Sequence, residues 1–310
     1  MTFHHPLQIR RDGVDLAGSL WLPADSPRGL VLMHPGSGPS DRDNDVLFPP
    51  IRQALLDCGV AVCSFDKRGV GGSTGRWQDA DITDQADDLI AGLRAARSSV
   101  GQVRTGLFGH SQGGWVVIEA GSRIPVDFVI SNSGPAVTPR EQEIFSTRNQ
   151  LRAAGWDEPA VEEGLATLEA VFDALGEPFA SAWPRIRTSP LVPRLQAAGV
   201  FVPADEPLWT FAGRILDHDP ARALSRLSCP LLALLGGADT VVPVARSVEV
   251  FTATVRADLL DLRVFPGADH RFGPVSAGTE TFVPQYLSTI AGFVEGRLRP
   301  TGDVDPSERT

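Results

Sequence analysis

One segment of the chain places a strand, a sharp turn and a helix in direct succession. The strand ends with the apolar Leu107 and Phe108, the turn is Gly-His-Ser-Gln-Gly at residues 109–113, and an apolar helix continues over residues 115–120. This is the G-x-S-x-G pattern, in which a strained turn presents a serine hydroxyl at the end of a sheet. The glycines are needed because the strand and helix backbones crowd together there and leave no space for a Cβ atom. Ser111 is therefore the candidate nucleophile.

A second match to this pattern, Gly-Gly-Ser-Thr-Gly at residues 71–75, lacks the flanking elements. It follows the polar Asp-Lys-Arg at residues 66–68 rather than a strand. It precedes Arg-Trp-Gln-Asp at residues 76–79 rather than an apolar helix. Context decides whether so short a motif has functional meaning. We expect a loop here, in which Asp66 and Arg68 brace the chain.

The remaining sequence alternates short apolar runs with amphipathic segments. The period-two pattern of residues 6–22 and the turn signal Asp12-Gly13 predict an antiparallel hairpin. Apolar runs predict buried strands, and 3.6-residue periodicity predicts the helices between them. This alternation predicts an α/β fold, a mostly parallel β-sheet wrapped by helices. The expected strands are 30–33, 60–65, 126–131, 229–235 and 259–265, and the expected helices are 47–58, 79–97, 244–255 and about 281–298.

Residues 138–225 interrupt this alternation, because they show helical patterns and no convincing strand. We interpret them as a helical cap inserted into a core formed by residues 1–137 and 226–298. The polar tail, residues 299–310, is expected to be disordered. Three of the six tryptophans lie in the insertion, and we expect them to pack in its interior: Trp156, Trp183 and Trp209.

Three reactive side chains each follow the carboxyl end of a predicted strand: Ser111, Asp239 and His270. In an open parallel sheet these strand ends lie along one edge, where ligands bind. A serine hydroxyl needs a base, an imidazole serves as one near neutral pH, and a carboxylate fixes the imidazole tautomer. Asp269 is the alternative acid, but as the direct neighbour of His270 it cannot easily reach around to it. The order Ser, Asp, His is the one typical of α/β-hydrolases.

The other internal histidines have less specific surroundings. We expect His110 to pack within the turn, His34 to shape the loop after the strand at residues 30–33, and His218 to belong to the insertion. An acidic run, Asp-Arg-Asp-Asn-Asp at residues 41–45, lacks the glycine and glutamate that a calcium loop requires at its sixth and twelfth positions. We therefore expect no metal and no cofactor.

Bulk composition narrows the classes of partner. The 310 residues carry a net charge of −10 and a pI of about 5.1, which disfavours binding to nucleic acid or anionic lipid. No apolar run reaches the length of a transmembrane helix, and no signal peptide is recognisable. Three sparse cysteines, expected as buried thiols, suggest a reducing compartment. These cysteines are Cys58, Cys63 and Cys229. We therefore expect a cytoplasmic protein.

Several blocks of the chain resemble the α/β-hydrolase superfamily, over about residues 28–298. The loop Ser-Gly-Pro-Ser-Asp-Arg-Asp at residues 37–43 is similar to that of a cap-bearing bacterial carboxylesterase branch. The blocks that carry the wider resemblance are residues 65–69, 109–113, 236–239 and 268–270.

An oxyanion needs backbone N–H donors, and one is expected from Gln112, the residue after the nucleophile. The other is expected from the loop after Met33. The resemblance implies Ser37 for this role, with Gly36 as the alternative because the sequence reads His-Pro-Gly where a His-Gly pair is commoner.

These features predict a serine hydrolase that cleaves small-molecule carboxylic esters through an acyl-enzyme intermediate. A peptidase or aminopeptidase, a thioesterase and an acyltransferase remain open on the same three residues. A non-catalytic binding protein that keeps the fold is the alternative from another class. Residues 139–224 carry thirteen acidic residues against eight arginines, a net charge of −5. An acidic insertion favours neutral or cationic substrates over anions such as CoA esters.

Overall fold

The computed structural model describes residues 3–274 and 282–298, which contain eight strands. In chain order the strands are β1 (Phe3–Arg11), β2 (Val14–Leu22), β3 (Gly29–His34), β4 (Val60–Phe65), β5 (Arg104–His110), β6 (Phe128–Asn132), β7 (Leu231–Gly236) and β8 (Leu260–Phe265). They form one sheet in the spatial order β1-β2-β4-β3-β5-β6-β7-β8. The first two pair antiparallel, whereas β3 to β8 are parallel to one another. The expected mostly parallel sheet is confirmed.

Eleven α-helices are present in the described residues. They are α1 (Phe48–Asp57), α2 (Ile82–Val100), α3 (Gln112–Arg123), α4 (Pro139–Ala153), α5 (Glu158–Asp173), α6 (Phe179–Ile186), α7 (Leu191–Ala197), α8 (Glu206–Ile215), α9 (Ala221–Leu224), α10 (Val244–Thr254) and α11 (Tyr286–Leu298). None of them is long and apolar enough to cross a membrane. The cytoplasmic location stays a prediction from the sequence.

The central strands are mainly apolar because helices cover both faces of the sheet. Every side chain of β3, β4 and β7 is buried. Along β3, Leu30 and Leu32 belong to one hydrophobic cluster, and Val31 and Met33 belong to the cluster on the opposite face. This alternation follows from the strand period of two. The two clusters bury both faces of the sheet, and the polar loops that follow the parallel strands emerge at its carboxyl edge.

The hairpin at the start of the sheet forms where the sequence predicted it. Asp12 and Gly13 connect β1 to β2, and their φ angles are 48° and 80°. Two-residue hairpin turns of type I′ require positive φ at both central positions, which Asp and Gly tolerate.

Two helix starts differ from the predicted positions for local reasons. The expected helix over residues 79–97 begins instead at Ile82, because Asp81 and Asp84 form a reciprocal capping box there. The closing helix begins at Tyr286 rather than near residue 281. Gln285, immediately before it, has a φ of 69°, which is outside the helical region. Residue 281 itself lies outside the described residues.

Helices α4 to α9 occupy the segment predicted as a cap, and between residues 139 and 224 the structure contains no strand. Helices α4 to α8 share a hydrophobic cluster of their own that includes Leu151, Leu168 and Leu195. Trp209 is buried in that cluster, and Trp156 and Trp183 pack against it. The buried residues of α9, Ala223 and Leu224, belong instead to the cluster on one face of the sheet. The division into core and cap stays a prediction, and the tail at residues 299–310 lies outside the described residues.

The turn after β5 generates a testable prediction about stability. A Cβ atom on Gly109 would lie 2.0 Å from the Gly113 carbonyl oxygen, whereas one on Gly292, in α11, would meet nothing within 4 Å. We expect Gly109→Ala to lower the free energy of unfolding by roughly 1–3 kcal/mol or more, through overpacking against backbone. The control Gly292→Ala should raise it by about 0.5–1 kcal/mol through helix propensity. Urea denaturation measures both, and equal midpoints would contradict this account of the turn.

Candidate active site

Ser111 occupies the single residue between β5 and α3. Its φ of 54° and ψ of −121° lie in a region that is strained for a residue with a side chain. Two backbone hydrogen bonds hold it there: its N–H donates to the Asn132 carbonyl at 2.9 Å, and its carbonyl accepts from the Gly114 N–H at 2.8 Å. The next strand and the helix thus fix the serine from both sides.

The structure brings Ser111, His270 and Asp239 together at the carboxyl edge of the sheet. The Ser111 Oγ lies 3.0 Å from the Nε2 of His270. The Nδ1 of His270 lies 2.7 Å from the Oδ2 of Asp239. Asp239 follows β7 and His270 follows β8, so three separate loops supply the three side chains. The hydroxyl, imidazole and carboxylate form a continuous hydrogen-bonded series.

The carboxylate of this series is buried and fully engaged. The Asp239 side chain has 0% exposure, against 19% for that of His270. Its Oδ1 accepts hydrogen bonds from the N–H groups of Val241 and Val242, at 2.7 and 2.9 Å. Asp269, the alternative acid, instead accepts from backbone N–H groups of its own loop. Geometry therefore favours Asp239 as the partner of the histidine.

A second buried series supports the histidine from behind. The Tyr286 hydroxyl donates to the Oδ1 of Asn132 at 2.7 Å, and the Nδ2 of Asn132 lies 3.1 Å from the Nδ1 of His110. The His110 ring packs beside that of His270, with 5.1 Å between the centroids. Burial and the nearby His270 and Arg271 hold the pKa of His110 well below its usual value. His110 is therefore a neutral packing residue.

The two expected oxyanion donors are both free. Within residues 3–274 and 282–298, neither the Ser37 N–H nor the Gln112 N–H donates to another protein atom. The N–H of the alternative, Gly36, is engaged with the Oδ1 of Asn44 at 3.2 Å. Ser37 and Gln112 line a common cavity with Ser111. This arrangement favours Ser37 over Gly36.

The cavity beside Ser111 measures about 350 Å³ and lies between the sheet edge and the helices of residues 139–224. Its walls are mainly apolar and include Trp77, Trp115 and Phe211. Glu143 is an ionisable group on the same wall, and burial raises its pKa to about 7. On the other side of Ser111 an open, more polar groove of about 500 Å³ reaches His270. The site thus offers an apolar interior and a polar entrance.

The serine of the second motif match is structural. The Ser73 Oγ donates to the Asp66 carbonyl at 2.7 Å and accepts from the Ala17 N–H at 2.9 Å. The Asp66 carboxylate is held by Arg42, and Arg68 pairs with Asp88. These contacts brace the loop, as the sequence suggested.

Some residues of the site carried no recognisable sequence signal. Trp77 and Trp115 line the cavity. In the sequence only the tryptophans of residues 139–224 stood out, because three of the six lie there. Lys67 is buried between the loop after β3 and Gln112, although its motif predicted only a loop. Its position two residues after a fully buried strand was the available indication.

Comparisons with known proteins found a matching family model and related sequences. A model described as the alpha/beta hydrolase family matches residues 30–284. A monoacylglycerol lipase of Mycolicibacterium smegmatis is 25% identical over 261 residues, which are 83% of this chain and 86% of that protein. A bifunctional esterase/perhydrolase of Acinetobacter calcoaceticus is 29% identical over 163 residues, 46% of this chain and 55% of that protein.

Solved structures show the same fold. The Pyrococcus furiosus esterase Pf2001 superposes with a TM-score of 0.62 at 19% identity, covering 96% of this chain and 94% of that one. A proline iminopeptidase of Mycobacterium smegmatis also superposes with a TM-score of 0.62, at 17% identity, covering 95% and 99% of the two chains.

The short contact between His270 and Asp239 generates a spectroscopic prediction. Because a carboxylate only accepts hydrogen bonds, the Nδ1 of His270 must carry the proton. We expect this proton to give a strongly deshielded ¹H NMR signal, downfield of the amides, that disappears in Asp239→Ala. The control Asp261→Ala removes a carboxylate that pairs with Arg263 and should leave the signal in place. A signal that survives in Asp239→Ala would contradict the assigned contact.

Proposed function

This chain belongs to the alpha/beta hydrolase family, and from that premise we propose that it is a serine hydrolase that cleaves carboxylic esters. The observation that carries the proposal is the unbroken series from Ser111 through His270 to Asp239, with contacts of 3.0 and 2.7 Å. Such a series lets an imidazole accept the serine proton while the carboxylate stabilises the imidazolium that forms. The esterase and lipase names among its relatives support the same reaction class.

In the proposed first half-reaction, His270 Nε2 takes the proton of Ser111 as its Oγ attacks the acyl carbon. The carbonyl π electrons move to oxygen and form a tetrahedral intermediate. The intermediate collapses when its bond to the alkoxy oxygen breaks, and His270 returns the proton to the leaving alcohol. The acyl group remains on Ser111 as an ester.

In the second half-reaction, water takes the place of the alcohol. His270 accepts a proton from that water, whose oxygen attacks the acyl carbon, and the same intermediate geometry recurs. Breakdown returns the proton to Ser111 and releases the carboxylic acid. No cofactor is needed for either half.

The proposed oxyanion hole consists of the N–H groups of Ser37 and Gln112. Donors aimed at the developing negative charge supply typically about 2.7–4 kcal/mol each in enzymes that transfer acyl groups. Both N–H groups are free of protein partners within the described residues. They flank Ser111 on the wall of one cavity, which supports this role.

We assign residues 138–225 to a cap over the acyl or alcohol group of the substrate. Side chains from α4 and α8 line the roof of the 350 Å³ cavity, among them Gln142 and Phe211. A roof of this kind excludes water and selects the group that enters. The apolar walls favour a small neutral ester. The extent of the cavity sets the length of the substrate group that can enter.

A second candidate reaction is hydrolysis of aminoacyl amides, and Glu143 is the observation in its favour. A carboxylate on the cavity wall attracts a substrate ammonium group, and no described residue forms a salt bridge with Glu143. Against this, burial raises the pKa of Glu143 to about 7 and so favours the uncharged carboxyl. A neutral ester meets that uncharged group without an electrostatic penalty.

The nucleophile is tested by comparing the two serines that match the motif. We expect Ser111→Ala to abolish hydrolysis of a short p-nitrophenyl ester, because no other described hydroxyl is bonded to His270. Labelling by a fluorophosphonate should disappear with it. The control Ser73→Ala should keep both activities, since Ser73 bonds only to backbone groups. Hydrolysis or labelling that survives in Ser111→Ala would refute the assignment.

The substrate class is tested with an ester and a thioester of one acyl group and with an aminoacyl amide. We expect the highest kcat/KM for the p-nitrophenyl ester, below it the CoA thioester, and lowest the aminoacyl p-nitroanilide. Glu143→Gln keeps the shape of the side chain and removes its charge, so its kcat/KM on the neutral ester should stay within about threefold of wild type. A preference for the aminoacyl amide that Glu143→Gln removes would establish the second candidate instead.

A further inference from the structure

Lys67 is the only lysine in the 310 residues, and arginine supplies the other 27 basic side chains. It follows β4 and is 4% exposed. Arginine has a planar fork of donors, whereas an ammonium is compact and can donate in three directions. The single use of lysine at a buried position indicates a need for that compact charge.

The ammonium of Lys67 connects the two segments proposed to form the oxyanion hole. Its Nζ donates to the Gly36 carbonyl, and it donates to the Oε1 of Gln112 at 2.8 Å. The Gly36 carbonyl and the Ser37 N–H belong to one planar trans peptide, so they point in opposite directions. A donor that fixes and polarises the carbonyl therefore also fixes the direction of the Ser37 N–H and strengthens it as a donor.

Asn44 completes this clamp on the loop. Its Oδ1 accepts the N–H of Gly36 at 3.2 Å, while Lys67 holds the carbonyl of the same residue. Both polar groups of Gly36 are therefore committed to the protein. Within the described residues, the N–H of Ser37 is therefore the next one along the chain that is free to donate.

The charge of Lys67 has no counter-ion in the described structure. Its sequence neighbour Asp66 pairs with Arg42, and Asp88, which lines a small cavity with Lys67, pairs with Arg68. His34 is uncharged beside it, since burial and the Lys67 charge hold the pKa of His34 well below its usual value. Burial alone lowers the pKa of Lys67 to about 7. A buried cation of this kind interacts strongly with any negative charge that forms nearby.

We propose that Lys67 is a positioning residue that aligns both oxyanion donors, and that the tetrahedral intermediate supplies the negative charge its ammonium lacks. This inference rests on the proposed function, since it needs the oxyanion to form between Ser37 and Gln112. It assigns to Lys67 an interaction with the transition state that is absent when only the substrate is bound. Such an interaction raises kcat rather than lowering KM.

The presence of one lysine makes a direct test possible. Lysine labelled with ¹³C at Cε gives a single NMR signal, whose pH titration reports the protonation of Lys67. An alkyl trifluoromethyl ketone supplies the anion: Ser111 Oγ bonds to its carbonyl carbon, the π electrons move to oxygen, and the serine proton passes to His270. We expect the titration midpoint of Lys67 to rise by about one pH unit or more, a tenfold stronger hold on the proton.

The same sample separates the two hypotheses. The ¹⁹F spectrum of the ketone reports whether the covalent adduct forms, and Ser111→Ala with the ketone is the control that should show neither adduct nor shift. An adduct without a change in the Lys67 midpoint overturns the role of Lys67 alone. A wild-type protein that forms no adduct overturns the proposed function, and this inference with it.

Substitution provides an independent measurement. We expect Lys67→Met to lower kcat on the p-nitrophenyl ester by about 10-fold to 100-fold. Direct removal of an oxyanion donor lowers kcat by about 100-fold to 1,000-fold, whereas Lys67 is a positioning residue for those donors. KM should stay within about threefold, and Lys67→Gln, which keeps a neutral donor, should lie between Met and wild type. The matched control is Arg28→Met, which removes a cation bonded to the Cys58 carbonyl beside the start of β3.

Arg28→Met should have wild-type kcat. If Lys67→Met fails to fold, Lys67→Gln and the NMR titration decide the question. A folded Lys67 variant with wild-type kcat, or one that changes only KM, overturns the inference.

Discussion

The close approach of helix α3 to the loop after β3 is the constraint on which the site depends. A Cβ atom on Gly113 would lie 2.4 Å from the carbonyl oxygen of His34, so only glycine permits this spacing. The approach sets Gln112, at the start of the helix, opposite Ser37 in the loop, and both line one cavity with Ser111. A wider separation would remove the common space between these two N–H groups. The strained serine and its neighbours are therefore held by backbone packing rather than by side-chain contacts.

The charges around this space are arranged asymmetrically. The buried Asp239 accepts hydrogen bonds from two backbone N–H groups and from the imidazole of His270. In the proposed reaction that imidazole becomes its counter-ion when it takes the serine proton. Lys67 is equally buried but donates only to the uncharged Gly36 carbonyl and Gln112 amide. An uncompensated buried charge destabilises a folded protein unless something offsets it. In the proposed reaction the negative oxyanion forms near the ammonium of Lys67 and offsets its charge. The buried ammonium is therefore unfavourable in the resting protein and favourable during the reaction.

Much of the fold and the central part of the site could be predicted from the sequence, because they depend on local patterns. Apolar runs identified the strands of the parallel sheet, and the strand-turn-helix pattern separated Ser111 from the superficially similar Ser73. Chain order placed Asp239 and His270 at the carboxyl ends of later strands. Helix starts were less accurate, since α2 is capped by Asp81 and begins at Ile82, three residues after the expected beginning. Several nearby acidic residues could cap this helix, and only the folded backbone decides which of them does.

Local sequence determined which residues become buried strands, where the glycine-rich turn lies, and which side chains have the chemistry to react. Periodicity and backbone sterics act over a few residues, so they can be read along the chain. Only the tertiary structure decided that Lys67 contacts Gly36 and Gln112, that Asn44 occupies the Gly36 N–H, and that Trp77 faces the same cavity as Glu143. These contacts join positions 8 to 66 residues apart through the packing of separate loops. No local pattern encodes such distances, because they arise from the sheet order and from the way its helices pack.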